Sequence, residues 1–138
     1  QQDIQSLLRI RERLVENRTA NCNQLRGFLA EYGLIVAKTR RQLMLAIPLI
    51  LEDADNELST VARGFIQRLY EFQLYLNEQI DQVAQEILAL AQAMPQYPLL
   101  LTIPGVGPIV ASTLLASINE VNDFKNGRIG RITLERPE

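Results

Sequence analysis

Between Leu58 and Met94 apolar side chains return at alternating steps of four and three, through Leu58, Ala62, Phe65, Leu69, Phe72, Leu76, Ile80, Val83, Ile87, Leu90 and Met94. One extra residue of drift falls between Leu76 and Ile80. At about 1.5 Å per residue this is a helix of roughly 55 Å, far longer than a stripe that shields itself from water. Another helix must cover it, either an antiparallel partner from earlier in the chain or a second copy. The seam is narrow and its flanks are rich in Gln, Glu and Asn, which suits a coiled-coil arm. Ser59 or Thr60 supplies a cap at the start and Pro95 closes the end. Phe65 and Phe72 fall on the seam and are read as core. Tyr70 and Tyr75 stand among acidic residues, which speaks against a base-stacking surface. Gly64, at a cost of roughly 1 kcal/mol relative to Ala, is read as a point of close helix approach.

The earlier chain supplies a candidate partner. From Asp3 to Tyr32 apolar residues recur at helical spacing with no proline, and Gly33 follows as a stop. Leu34-Ile35-Val36-Ala37 reads as a connector with a weak extended tendency. A second, shorter helix is expected from near Thr39, kinked or ended around Pro48, where the ring removes a backbone donor and crowds the preceding turn.

The texture changes at Pro98. Leu99-Leu100-Leu101-Thr102-Ile103 leads into Pro104-Gly105-Val106-Gly107-Pro108 and then Ile109-Val110-Ala111-Ser112-Thr113-Leu114-Leu115. An apolar helical turn, a Gly-x-Gly hairpin and a helix with a small residue four after the second glycine make a helix-hairpin-helix pattern. The glycines permit a tight path and close approach of another backbone, Pro108 pre-sets the next helix, and the amides at its start suit a phosphate oxygen. Ala111 is small enough for the short helices to cross closely. The candidate nucleic-acid contacts are Thr102, Pro104, Gly105, Val106 and Gly107, with Lys125 and Arg128 one helix later. Such a contact positions nucleic acid without choosing sequence. A hairpin that merely joins two packed helices is the competing reading.

The fold class expected is therefore all-α: long antiparallel helices forming a coiled-coil arm over residues 1–94, a helix-hairpin-helix-like segment over 95–128, and a divergent tail over 129–138. Charge is uneven along it. Residues 1–41 carry eight basic and four acidic side chains, residues 42–94 two and eight, and residues 95–138 four of each. An anionic partner is met by the first segment or by local features of the last. No histidine exists to act as base or ligand. Glu52, Asp53, Asp55 and Glu57 lack the glycine turn and distal glutamate of a calcium loop and read as a solvated acidic loop. Ser112, Thr113 and Ser117 have no base nearby and are expected to face the helix groove. Catalytic and metal-binding residues are thus expected to be absent, as is a cofactor. Cys22 lies on an apolar face as a small core residue. No apolar run reaches the roughly 20 residues of a membrane span and no secretory pattern opens the chain, so a cytoplasmic setting without membrane contact is expected. Gln1 already stands in an amphipathic pattern, so the natural start is expected upstream.

Arg11-Glu12-Arg13-Leu14-Val15, Gln24-Leu25-Arg26-Gly27-Phe28-Leu29-Ala30-Glu31-Tyr32-Gly33, the long helix, Leu101-Thr102-Ile103-Pro104-Gly105-Val106-Gly107-Pro108 and Phe124-Lys125-Asn126-Gly127-Arg128 together resemble the middle of the insertion-sequence one-ten transposases, also called the one-sixteen/one-ten/nine-oh-two family. The resemblance runs from residue 1 to about 128. It implies a DNA recombinase with an N-terminal RuvC-like domain carrying acidic residues and a divalent metal, a helical section, and a C-terminal domain with a nucleophilic serine. It also implies DNA as partner, together with a structured bridge or guide RNA. The acidic residues are expected before Gln1 and the serine beyond Arg128, so this chain alone is expected to be inactive. Ile129 to Glu138 departs from the family pattern, as a truncated or frame-shifted remnant does. The expected residual work is DNA contact at the hairpin and self-association, as a homo-oligomer, through Leu58 to Met94. The alternative is a structural helical oligomerisation module with no nucleic-acid role.

Overall fold

Each long apolar stripe becomes a helix. The computed structural model describes residues 2–34 and 39–117, which form α1 (Gln2–Glu31), α2 (Arg40–Glu52), α3 (Thr60–Gln92), α4 (Tyr97–Leu101) and α5, helical from 108 to 117; among the described residues there is no strand. No helix among them is long and apolar enough to cross a membrane.

The ends are chemically specified. Gly33, at φ +75°, stops α1. Its amide donates to Ala30 O at 3.0 Å and that of Leu34 to Leu29 O at 2.9 Å, a paired closure of the last turn that needs a left-handed residue between. The connector expected at Leu34–Ala37 lies outside the described residues from Ile35 onward. Thr39 caps α2 in a reciprocal box, its Oγ1 accepting from Gln42 N at 3.1 Å while Gln42 Oε1 accepts from Thr39 N at 3.4 Å. Pro48 does not end α2, which runs on to Glu52; the proline removes one backbone donor, while the turn before it is anchored by the fully buried Leu43 and Ile47 and the turn after it by Ile50 and Leu51 packed against the same core. Ser59 Oγ accepts from Ala62 N at 3.0 Å and so caps α3.

The chain divides into two compact units, Arg13–Ile80 and Gln1–Glu12 with Asp81–Glu138. In the first, Cys22, Leu25 and Leu29 of α1, Leu43 and Ile47 of α2, and Leu58, Ala62 and Ile66 form one core, with Phe65 packed against it. Each fully buried leucine or isoleucine there contributes about 1.5–3 kcal/mol. Helices α1 and α3 run antiparallel: Arg18 Nη1 donates to Asn77 Oδ1 at 3.2 Å, Asn21 bonds Gln73, and the Phe28 and Phe65 rings lie 4.7 Å apart. The seam of α3 in this unit is thus covered within one chain.

Two sequence expectations fail here. Phe72 is 43% exposed and stacks on Tyr75 with ring centroids 6.4 Å apart, whereas Gln73 is fully buried. The reason is phase. Two successive four-residue steps, Leu58 to Ala62 to Ile66, carry the buried line one residue further, so it continues through Leu69, Gln73 and Leu76. Gly64 is exposed, and a Cβ there would meet nothing within 4 Å, so it marks no close approach.

The acidic loop is organised by a cation. Arg63 donates through Nη1 to Leu51 O and through Nη2 to Asp53 O, both at 2.9 Å, and also to Asn56 Oδ1. Asp53 Oδ1 in turn accepts from Asp55 N at 2.9 Å. One guanidinium therefore takes up a terminal carbonyl of α2 and fixes the loop into α3.

Candidate nucleic-acid interface

The second unit carries the hairpin. Its buried residues include Ile4 of α1, Val83, Ile87 and Ala91 of α3, Tyr97 of α4, and Ala111, Ser112, Leu115 and Ala116 of α5. Ala111 is fully buried. Gln5 Nε2 donates to Ala116 O at 3.0 Å, which ties α5 to the first turns of α1.

Residues 102–107 have a definite geometry. The amides of Thr102 and Ile103 donate to Leu99 O and Leu100 O, both at 3.2 Å, tightening the end of α4. Val106 N then donates to Ile103 O at 3.1 Å across Pro104 and Gly105, and Gly105 has φ +84°. Proline second and a left-handed glycine third make this a type II turn, the turn this dipeptide favours. Ala111 N donates to Gly107 O at 2.8 Å, so Gly107 is the cap of α5 and Pro108 its first residue. A glycine cap has no side-chain oxygen to offer the amides of Ile109 and Val110, and a Cβ on Gly107 would meet nothing within 4 Å. The positive end of a helix of at least ten described residues, 108 to 117, thus opens on the turn.

The expected contact residues fall as follows. Thr102, Pro104 and Gly105 are exposed and Val106 and Gly107 half-buried, all on this one turn. Thr102 Oγ1 donates to Leu99 O at 2.6 Å. Lys125 and Arg128 lie outside the described residues. Ser112 and Thr113 donate to Pro108 O and Ile109 O at 2.8 and 2.9 Å, spending their hydroxyls on α5 itself. Among the described residues, no group of three or more His, Cys, Asp or Glu side chains could hold a metal. Sequence reasoning missed the apolar rim: Leu99 is 71% exposed, and Leu101, Ile103, Val110 and Leu114 are also exposed. Nearly every residue from 97 to 118 is apolar or small, so no periodic contrast singled these out.

A family model described as Transposase IS116/IS110/IS902 family matches residues 97–129, the segment that holds α4, the turn and α5. Over 128 residues, 93% of this chain, it is 37% identical to the transposase for insertion sequence element IS1111A of Coxiella burnetii. The chain therefore matches the IS116/IS110/IS902 transposase family over residues 97–129 and is similar to insertion-sequence transposases over 93% of its length. It is also 33% identical to a probable family 20 transposase of Pseudomonas aeruginosa and 30% identical to the transposase for insertion sequence element IS1328 of Yersinia enterocolitica, each over 93% of its length. It spans 35%, 38% and 37% of these relatives, about a third of a family transposase. No solved structure matches it.

Proposed function

We propose that this chain is the helical part of a DNA transposase that holds nucleic acid by its backbone at the turn Thr102–Gly107, with the cleaving and joining chemistry carried elsewhere in the protein. The observation that carries the reading is the opening of α5 behind a glycine cap on an exposed turn, inside the segment matched by the family model. Amides at a helix start hold a phosphate oxygen without a cation, and residues 95–117 contain no Lys or Arg. In this reading Lys125 and Arg128 add charge beyond α5. The divalent metal belongs to an acidic domain of the whole transposase, and a structured RNA is a second anionic partner for the same amides. Self-association through Leu58 to Met94 has to use residues off the seam, because Ala62, Ile66 and Leu76 are already buried within one chain. That burial also removes the main support for a purely oligomerising module.

Titration of a generic DNA duplex with this chain, repeated at several salt concentrations, tests the reading. Binding should weaken with salt by a log–log slope of about −2, as two phosphates neutralised by Lys125 and Arg128 require. Absence of salt-dependent binding overturns it.

A further inference from the structure

We infer that Asn21 and Gln73 set the register in which α1 and α3 pair, a specificity role for two carboxamides placed where packing alone would favour apolar side chains. Gln73 is fully buried and Asn21 is 5% exposed. Asn21 Nδ2 donates to Gln73 Oε1 at 2.7 Å and to Leu69 O at 3.0 Å, while Gln73 Nε2 is buried with no protein partner. The pair therefore carries a desolvation cost that a leucine pair would not.

What the pair adds is discrimination between alignments. Antiparallel seams of this kind repeat about every seven residues, so the misalignment that best preserves apolar contact is a slide of one heptad, about 10 Å along the axis. With residue 21 opposite 73 and 28 opposite 65, each slide can be read directly. One direction brings Asn21 opposite Ile80 and Gln73 opposite Phe28. The other brings Asn21 opposite Ile66 and Gln73 opposite Leu14. Both strand the two carboxamides against apolar side chains, and only the observed alignment lets them meet. A single buried polar position fixing register is a known use of such groups in paired helices.

The test is a distance between spin labels on the full chain at Glu16→Cys and Glu71→Cys, both exposed positions; the native Cys22 is 4% exposed and shielded from labelling. The labelled chain with the native pair should give one narrow distance. The variant Asn21→Leu/Gln73→Leu should remain folded with a raised Tm and show at least one further distance. The variant Asn21→Leu/Leu14→Asn moves the partner of Gln73 by one heptad. It should give a single, shorter distance, since residue 16 then lies opposite residue 71. The inference is overturned if the double-leucine variant keeps the one native distance or unfolds, or if Asn21→Leu/Leu14→Asn keeps the native distance and shows no shorter one.

Discussion

The side-chain amide of Gln5 donates to the carbonyl oxygen of Ala116 at 3.0 Å, joining two residues 111 positions apart in sequence. The helix that opens on the candidate phosphate contact is thereby fixed to the first turns of α1. Replacing Gln5 by Ala removes the donor and should destabilise this unit by about 0.5–1.5 kcal/mol. Amide hydrogen exchange over residues 108–117 should quicken, while Leu25 and Leu29 in the other unit keep their protection. Unchanged exchange in α5 would show that the bond holds nothing in place.

Gly64 and Gly27 each sit inside a long helix with open space where a Cβ would stand, and neither has a positive φ. Gly64→Ala and Gly27→Ala should each stabilise the chain by about 0.5–1 kcal/mol, because alanine has less backbone freedom to lose. Urea unfolding gives the answer as a higher midpoint at constant m. A lower midpoint would mean that the glycine is needed for close packing after all.

Gly105 and Gly107 should separate when substituted. Gly105→Ala forces a side chain into a left-handed conformation and should cost about 1–2 kcal/mol in the turn. Gly107→Ala meets no atom within 4 Å, so its cost is the poorer helix cap that alanine makes, about 0.5–1 kcal/mol. Its Cβ also obstructs approach of a phosphate to the α5 amides, so duplex affinity should fall for Gly107→Ala while the chain stays folded and loses less Tm than Gly105→Ala. Equal affinity would favour a turn that only joins α4 to α5.

Arg63 serves two carbonyls and one carboxamide. Arg63→Ala should lower stability by about 2 kcal/mol, and Arg63→Lys should recover only part of it, since an ammonium lacks the planar fork. Thermal unfolding of the two variants reads the order directly; a lysine variant as stable as the native chain contradicts the clamp.

Much of the fold was legible because its signals are local or periodic. Gly33 and Thr39 mark helix ends through backbone chemistry that needs no tertiary knowledge, and so does the Pro104-Gly105 turn. The partner of α3 was also legible as one of two options, since only α1 has comparable length. What stayed hidden depends on which face meets the partner. Phe72 looks like core in one dimension, but its neighbour Gln73 has Asn21 across from it, and a matched polar pair is invisible until both helices are placed. Gly64 misled for the same reason: a glycine in a helix reads alike whether a neighbouring helix or solvent lies beside it. Arg63 was missed because its acceptors are mostly backbone carbonyls, which no side-chain pattern announces.

Whether the amides opening α5 hold nucleic acid can be read by following backbone amide resonances during titration with duplex DNA. Val106, Gly107, Ile109 and Val110 should shift most, and their shifts should reverse as salt is raised. Saturation with duplex while these four resonances stay fixed would contradict a phosphate contact at this turn.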